Sequence, residues 1–196
     1  VEGSLKRLGT DYIDLYQMHW PDTVVPIDES LAAFDRLVQS GKGRYLGTSN
    51  DTSHGLTKAT MVSKYERFAR FESIQNNFSL LNQRFLDELK EVAQKENISL
   101  LPYSPLAGGV LSGKYNQNFI PPSSRFGYYK GSENARQRAM ATRFLNDKTK
   151  KSVQRYMDIA KKHNIDVVTM ATAWSMQHDF VASTIIGATT ANQLNQ

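Results

Sequence analysis

Thr10-Asp11-Tyr12-Ile13-Asp14-Leu15-Tyr16-Gln17-Met18-His19-Trp20-Pro21-Asp22 is a short apolar run with an abrupt polar end. Tyr12 to Met18 is rich in aromatic and branched residues, the composition of a β-strand, and His19, Trp20 and Pro21 close it. An acidic start at Asp28-Glu29 then opens a helical pattern on Leu31, Phe34, Leu37 and Val38. Gly41-Lys42-Gly43 reads as the stop of that helix, and Arg44-Tyr45-Leu46-Gly47-Thr48 as the next strand. Phe71 to Phe78, Leu100-Leu101-Pro102-Tyr103 and Thr184-Ile185-Ile186-Gly187 have the same character, which makes five candidate strands in all. The first four recur at about 30 residues, the size of a βαβ unit, so the strands are expected to be parallel with right-handed crossovers. The predicted class is α/β.

The same alternation extends outward. Leu5 and Leu8 precede Gly9 as the last turn of a helix and its cap would. Phe85, Leu86, Leu89, Val92 and Ala93 give a further helical pattern, as do Val153, Tyr156, Met157 and Ala160. The long interval before the last strand holds Pro121-Pro122-Ser123-Ser124, a basic stretch from Arg136 to Lys151 and two helical patterns ending near His178. It is expected to be a long loop with an extra helix. Ala191 to Gln196 reads as the first turns of a helix, and the chain, which opens on Val1, is expected to be a fragment. Alternating βα units fit both an open doubly wound sheet and a closed (β/α)8 barrel. For a barrel, eight units need roughly 240 residues, and about three strands would lie outside this sequence.

The chain has 196 residues, 24 Lys+Arg against 19 Asp+Glu, a formal net charge of +5 and no Cys. That length suits one core and one domain. Without Cys there are no disulfides, thiolate metal sites or Cys nucleophiles, and a reducing, cytoplasmic setting is the expectation. No apolar run approaches the ~20 residues of a membrane-spanning helix, so no membrane insertion is expected. The basic residues lack aromatic interleaving, which argues against nucleic acid as a partner. Oligomerisation is left open. The sites at Asn50, Asn77 and Asn97 that fit N-x-[ST] matter only for a secreted protein.

In either α/β architecture ligands bind at the carboxyl ends of the strands. Those ends hold His19-Trp20-Pro21-Asp22, Ser49-Asn50-Asp51, Asn76-Asn77, Tyr103-Ser104-Pro105 and Gly187-Ala188-Thr189-Thr190, a hydrogen-bonding set with no metal-ligand spacing. His19 could orient a carbonyl oxygen or shuttle a proton, although a histidine at a strand end is more often structural. His54, His163 and His178 read as capping or solvated residues. No H-E-x-x-H, EF-hand or Walker A sequence occurs, and no metal site is expected. Leu106 to Lys114 contains Gly108, Gly109 and Gly113: it is either a flexible turn or a loop whose backbone N–H groups approach a phosphate, with Lys114 supplying charge. Gly187-Ala188-Thr189-Thr190 before a helix start is either a plain N-cap or a second anion site.

Taken in order, Ser4 to Asp22, Gly41 to Asn50, Pro102 to Gly109 and Ile186 to Thr190 resemble the aldo-keto reductase family, in the branch of Tas-like reductases and potassium-channel β subunits. The resemblance covers nearly the whole chain. It implies a partial (β/α)8 TIM barrel, strands four to eight with their helices, in a domain over residues 1–196 that is N-terminally incomplete. It further implies NADP(H) as cofactor and a small-molecule carbonyl substrate, an aldehyde or ketone, reduced by hydride transfer. His19 is similar to the family's catalytic histidine. Ser49, Asn50 and Gln75 are similar to residues that hydrogen-bond the nicotinamide carboxamide, and Tyr103 to the aromatic residue that stacks on the ring. Ser104, Leu106, Lys114 and Arg125 resemble the pyrophosphate cradle; Gly187, Thr189 and Gln193 resemble the segment for the 2′-phosphate and adenine. The family's catalytic aspartate, tyrosine and lysine correspond to no residue here, so the chain is expected not to turn over alone. The adenine-end motif is cut after Gln196. The alternatives are an NADP(H)-binding regulatory protein like the channel β subunits and a non-functional truncated fragment.

Overall fold

Tyr16, Leu46 and Phe71 lie side by side across three neighbouring strands of a parallel sheet. In this computed structural model, which describes residues 1–117 and 119–194, the sheet comprises β1 (Ile13–Met18), β2 (Gly43–Ser49), β3 (Phe71–Gln75) and β4 (Ser99–Leu100), in that order and all parallel. The helices between them are α2 (Ile27–Gln39), α3 (Ser53–Glu66) and α4 (Leu89–Lys95), and α1 (Glu2–Leu8) comes first. Parallel pairing forces a crossover after every strand, and the helical segments supply it. The chain divides into two compact units: Val1–Asn76 with Arg84–Leu101, which holds the whole sheet, and Asn77–Gln83 with Pro102–Gln196.

In the first unit the helices cover one face of the sheet. Leu31, Leu46, Ala59 and Phe71 are buried together, with Tyr16, Phe34, Val38 and Val62 packed against them. Side chains alternate along β2, so Gly47 points to the face opposite Leu46. The ladder to β3 shifts register between Leu46 and Gly47, and this sets Gly47 beside Gln17 on one side and Ser73 on the other. Gly47 is small for a reason: a Cβ there would lie 2.5 Å from Ser73 Oγ and 3.2 Å from Ser73 O. Helix ends follow their local chemistry. Gly9 closes α1 at φ 67°, where a residue without Cβ avoids left-handed strain. Thr52 caps α3 by accepting from Gly55 N.

The second unit is helical: α5 (Arg125–Lys130), α6 (Ala135–Phe144), α7 (Asp147–Lys162), α8 (Val167–Met176) and α9 (Ala191–Leu194). Its core joins Val110, Leu111, Tyr115, Phe126, Val153 and Ala171. Val153 and Ala160 are the buried positions of α7, seven apart and therefore on one stripe of the helix.

Several expectations need correction. Thr184-Ile185-Ile186-Gly187 is not a strand; its described backbone bond is Ile185 N to Pro102 O, at 2.8 Å. A branched apolar run becomes a strand only where a ladder is available, and Pro102 has no N–H to donate. The strand expected over Phe71 to Phe78 ends at Gln75, and Leu100 to Tyr103 keeps only Leu100 in the ladder, with an isolated bridge from Tyr103 to Asn77. Phe85 to Ala93 is split between a 3-10 turn at Arg84–Leu86 and α4. The interval read as a long loop with an extra helix holds α5 and α6 before α7 and α8. Of the helix expected over Ala191 to Gln196, residues 191–194 are helical and Asn195 and Gln196 lie outside the described residues.

Candidate functional site

The carboxyl ends of β1, β2 and β3 meet in one hydrogen-bonded cluster. Ser49, the last residue of β2, donates from Oγ to Gln75 O at 2.7 Å, and Asn50 N donates to the same carbonyl at 3.1 Å. Asn50 stands in the left-handed region at φ 57°, which asparagine tolerates better than most side-chain-bearing residues. That turn carries its Nδ2 to His19 O and to Ser49 Oγ, both at 3.0 Å. Gln75, Asn50, Ser49 and His19 are thus fixed relative to one another by three strand ends. The His19 ring itself is exposed, 6.0 Å from the ring of Trp20.

Beneath this turn lies Asp51, only 6% exposed. Its Oδ2 accepts from Thr48 Oγ1 at 3.1 Å and its Oδ1 from Thr52 N at 2.8 Å. Asn76 Nδ2 donates to Asp51 O at 3.2 Å. Burial pushes the Asp51 carboxyl above the ordinary aspartate range, while the hydrogen bonds from Thr52 and Thr48 and the nearby His54 pull it back. Desolvation of a carboxylate outweighs two hydrogen bonds here.

A second group of residues belongs to the helical unit. Ser104 (φ 56°), Ala107 (φ 49°), Gly108 (φ 68°) and Gly109 (φ 91°) depart from ordinary φ within six residues. Such a run coils the backbone tightly, and glycine at two of the four positions takes this conformation without strain. The loop is held by Ala107 N to Ser104 O at 2.8 Å and by Gly109 N and Leu111 N to Leu106 O. Lys114 approaches the paired glycines, since a Cβ on Gly109 would meet its Nζ at 2.9 Å, whereas one on Gly108 would meet the Phe126 ring at 2.9 Å, with the Arg125 Cδ methylene at 3.8 Å. Tyr103 is half-buried at the head of this loop, and burial raises its hydroxyl above the usual tyrosine range, with Arg143 acting the other way.

Ile185 N on Pro102 O brings the chain before Gly187 beside the start of the Tyr103 loop. Gly187 borders open space. Thr189 and Gln193 come together: Gln193 Oε1 accepts from Thr189 N at 2.8 Å and from Thr189 Oγ1 at 2.9 Å. In the first unit His19, Ser49, Asn50 and Gln75 are joined; in the second, Tyr103, Ser104 and Leu106 share a loop with Lys114 and Arg125 beside its glycines. Sequence reasoning placed Asp51 and Asn76 at strand ends but gave neither a role. Asp51 owes its place to Gly55, whose missing Cβ leaves room for the carboxylate, a relation that appears only in the folded chain. Among the described residues no three His, Asp or Glu side chains converge as metal ligands would, and no helix is long and apolar enough to cross a membrane.

The model of the Aldo/keto reductase family matches residues 1–196. Over 211 residues the chain is 38% identical to protein tas of Escherichia coli (strain K12), covering 99% of this chain and 58% of that protein. It is 32% identical over 195 residues to a probable voltage-gated potassium channel subunit beta of Oryza sativa subsp. japonica, covering 99% of this chain and 58% of that one. It is 30% identical over 198 residues to L-glyceraldehyde 3-phosphate reductase of Escherichia coli (strain K12), covering 100% of this chain and 55% of that enzyme. The chain therefore spans little more than half the length of these relatives.

Proposed function

Because this chain belongs to the aldo/keto reductase family, we propose that residues 1–196 are the nucleotide-holding part of an NADP(H)-dependent oxidoreductase domain that reduces an aldehyde or ketone to an alcohol. β1 to β4 then correspond to strands four to seven of a (β/α)8 barrel. The observation that carries the reading is the cluster of His19, Ser49, Asn50 and Gln75 at three adjacent strand ends, where α/β folds place their ligands.

The residues suit the cofactor. Lys114, whose ammonium lies beside Gly109, and Arg125 supply the positive charge for a diphosphate. Ser104 and Leu106 belong to the same cradle, Gly187, Thr189 and Gln193 take the 2′-phosphate and adenine, and Tyr103 offers an aromatic face to the nicotinamide. A bound NADP(H) would supply the hydride for the reduction. Ser49, Asn50 and the Gln75 side chain hold the carboxamide and so fix which ring face is presented. His19 directs its imidazole at the substrate oxygen and orients that oxygen toward the proton donor. The donor is proposed to come from family segments to which no residue of this chain corresponds, so the 196 residues alone bind nucleotide without turnover.

A second reading follows from the 32% identity to a potassium channel subunit beta: a protein in which bound NADP(H) reports redox state to a partner. Turnover separates the two. In a polypeptide that includes the remaining family segments, NADPH oxidation with a reactive aldehyde is expected, and His19→Ala is expected to lower kcat about 10²-fold or more while nucleotide affinity survives. Nucleotide binding with no oxidation of NADPH by any carbonyl favours the regulatory reading; unchanged turnover in the variant removes His19 from the mechanism.

A further inference from the structure

Among the described residues, Asp51 is the one carboxylate or cation that is buried, and the proposed chemistry does not use it. Its surroundings are built around it. One carboxylate oxygen is held by Thr48 at the end of β2 and the other by the backbone of Thr52, the N-cap of α3. Gly55 in the first turn of α3 has no Cβ, and one there would clash with Asp51 Oδ1. The Asp51 carbonyl in turn accepts from Asn76, the residue after β3. Asp51 therefore ties together the strand, the helix and the next strand end on either side of the left-handed Asn50.

We propose that Asp51 is a positioning residue for the nicotinamide end of the site, clamping the Asn50 turn so that Asn50 and Ser49 keep their bonds to His19 and Gln75. This rests on the reading that the chain holds NADP(H). Asp51 itself reaches no ligand. Its part is to hold one backbone conformation, because a left-handed non-glycine residue is strained and persists only where its neighbours over-determine it. Burial disfavours the ionised carboxyl, so this arrangement is kept at some cost to stability, as functional groups commonly are.

The test compares two ligands on the 196-residue chain, NADPH and adenosine 2′,5′-bisphosphate, which lacks the nicotinamide. Asp51→Ala is expected to raise the Kd for NADPH about tenfold, the effect of unpairing buried hydrogen-bonding groups, and to leave the bisphosphate Kd within about twofold. Asp51→Asn keeps an acceptor for Thr52 N and a donor for Thr48 Oγ1, and is expected to recover NADPH binding to within about threefold of the parent. Thr48→Val removes one arm of the clamp with little change of shape, and is expected to weaken NADPH alone by about threefold; it decides the matter should Asp51→Ala fail to fold. Equal weakening of both ligands, or no selective loss of NADPH in Asp51→Ala and Thr48→Val, overturns the inference and leaves the proposed function standing. Absence of NADPH binding by the unaltered chain overturns both.

Discussion

Gly47 has no room for a side chain. Its Cβ would fall 2.5 Å from Ser73 Oγ and 3.0 Å from Gln17 Cγ, in the middle of β2 between two hydrogen-bonded neighbours. Gly47→Ala is expected to destabilise the fold by about 1–3 kcal/mol, the usual cost of overpacking, read as a lower midpoint in urea unfolding; an unchanged midpoint contradicts the packing described here. Asp51 makes a pH prediction of definite sign. Its folded carboxyl titrates above the ordinary aspartate value because burial disfavours the charge. The folded chain therefore binds that proton more tightly than the unfolded one. The resulting stabilisation is complete below the unfolded value and is lost as pH rises through the folded one. Asp51→Asn carries no such proton, so the stability of the parent relative to this variant is expected to grow on acidification across that window; urea unfolding at several pH values reads it, and a difference that shrinks contradicts it. At this scale the sequence was partly informative. Ser49 and Asn50 could be singled out because they follow an apolar run, and Gln75 only through the resemblance to the family, whereas the role of Asp51 depends on a missing Cβ four residues later, which no spacing rule conveys.

Elements follow the pattern where local signals and tertiary partners agree. β1 and β2 were legible because their apolar runs are framed by turn residues and each finds a ladder. α2 was legible from its acidic first turn and the apolar stripe through Leu31 and Phe34. The run at Thr184 to Gly187 has equally good strand composition, yet Ile185 and Ile186 stay exposed, since strand formation is decided by pairing rather than by propensity. α5 and α6 were missed for the opposite reason: each is short, and α6 carries Arg136, Arg138 and Arg143 with Ala141 as its buried residue, too little apolar periodicity to register. Their N-caps, Ser124 and Asn134, were the available signal. Caps also yield a prediction. Asp166 Oδ1 accepts from Val168 N at 2.8 Å and Thr169 N at 3.2 Å at the start of α8. Asp166→Ala is expected to cost about 1 kcal/mol, seen as a lower Tm; a variant melting with the parent removes the cap from the account.

Over the whole molecule, charge divides as the proposed function would have it. In the unit built from Asn77–Gln83 and Pro102–Gln196, Lys and Arg outnumber Asp and Glu more than two to one, whereas acids slightly outnumber bases in the unit that holds the sheet. The residues proposed to hold the phosphates belong to the first of these, and an anionic nucleotide is drawn to a basic body at long range. The residues proposed to hold the uncharged carboxamide belong to the second. Isothermal titration calorimetry of the 196-residue chain with NADPH and with NADH tests the central claim most directly. Saturable binding of one NADPH per chain is expected, about tenfold or more tighter than NADH because only NADPH carries the 2′-phosphate. No saturable binding of NADPH contradicts the account.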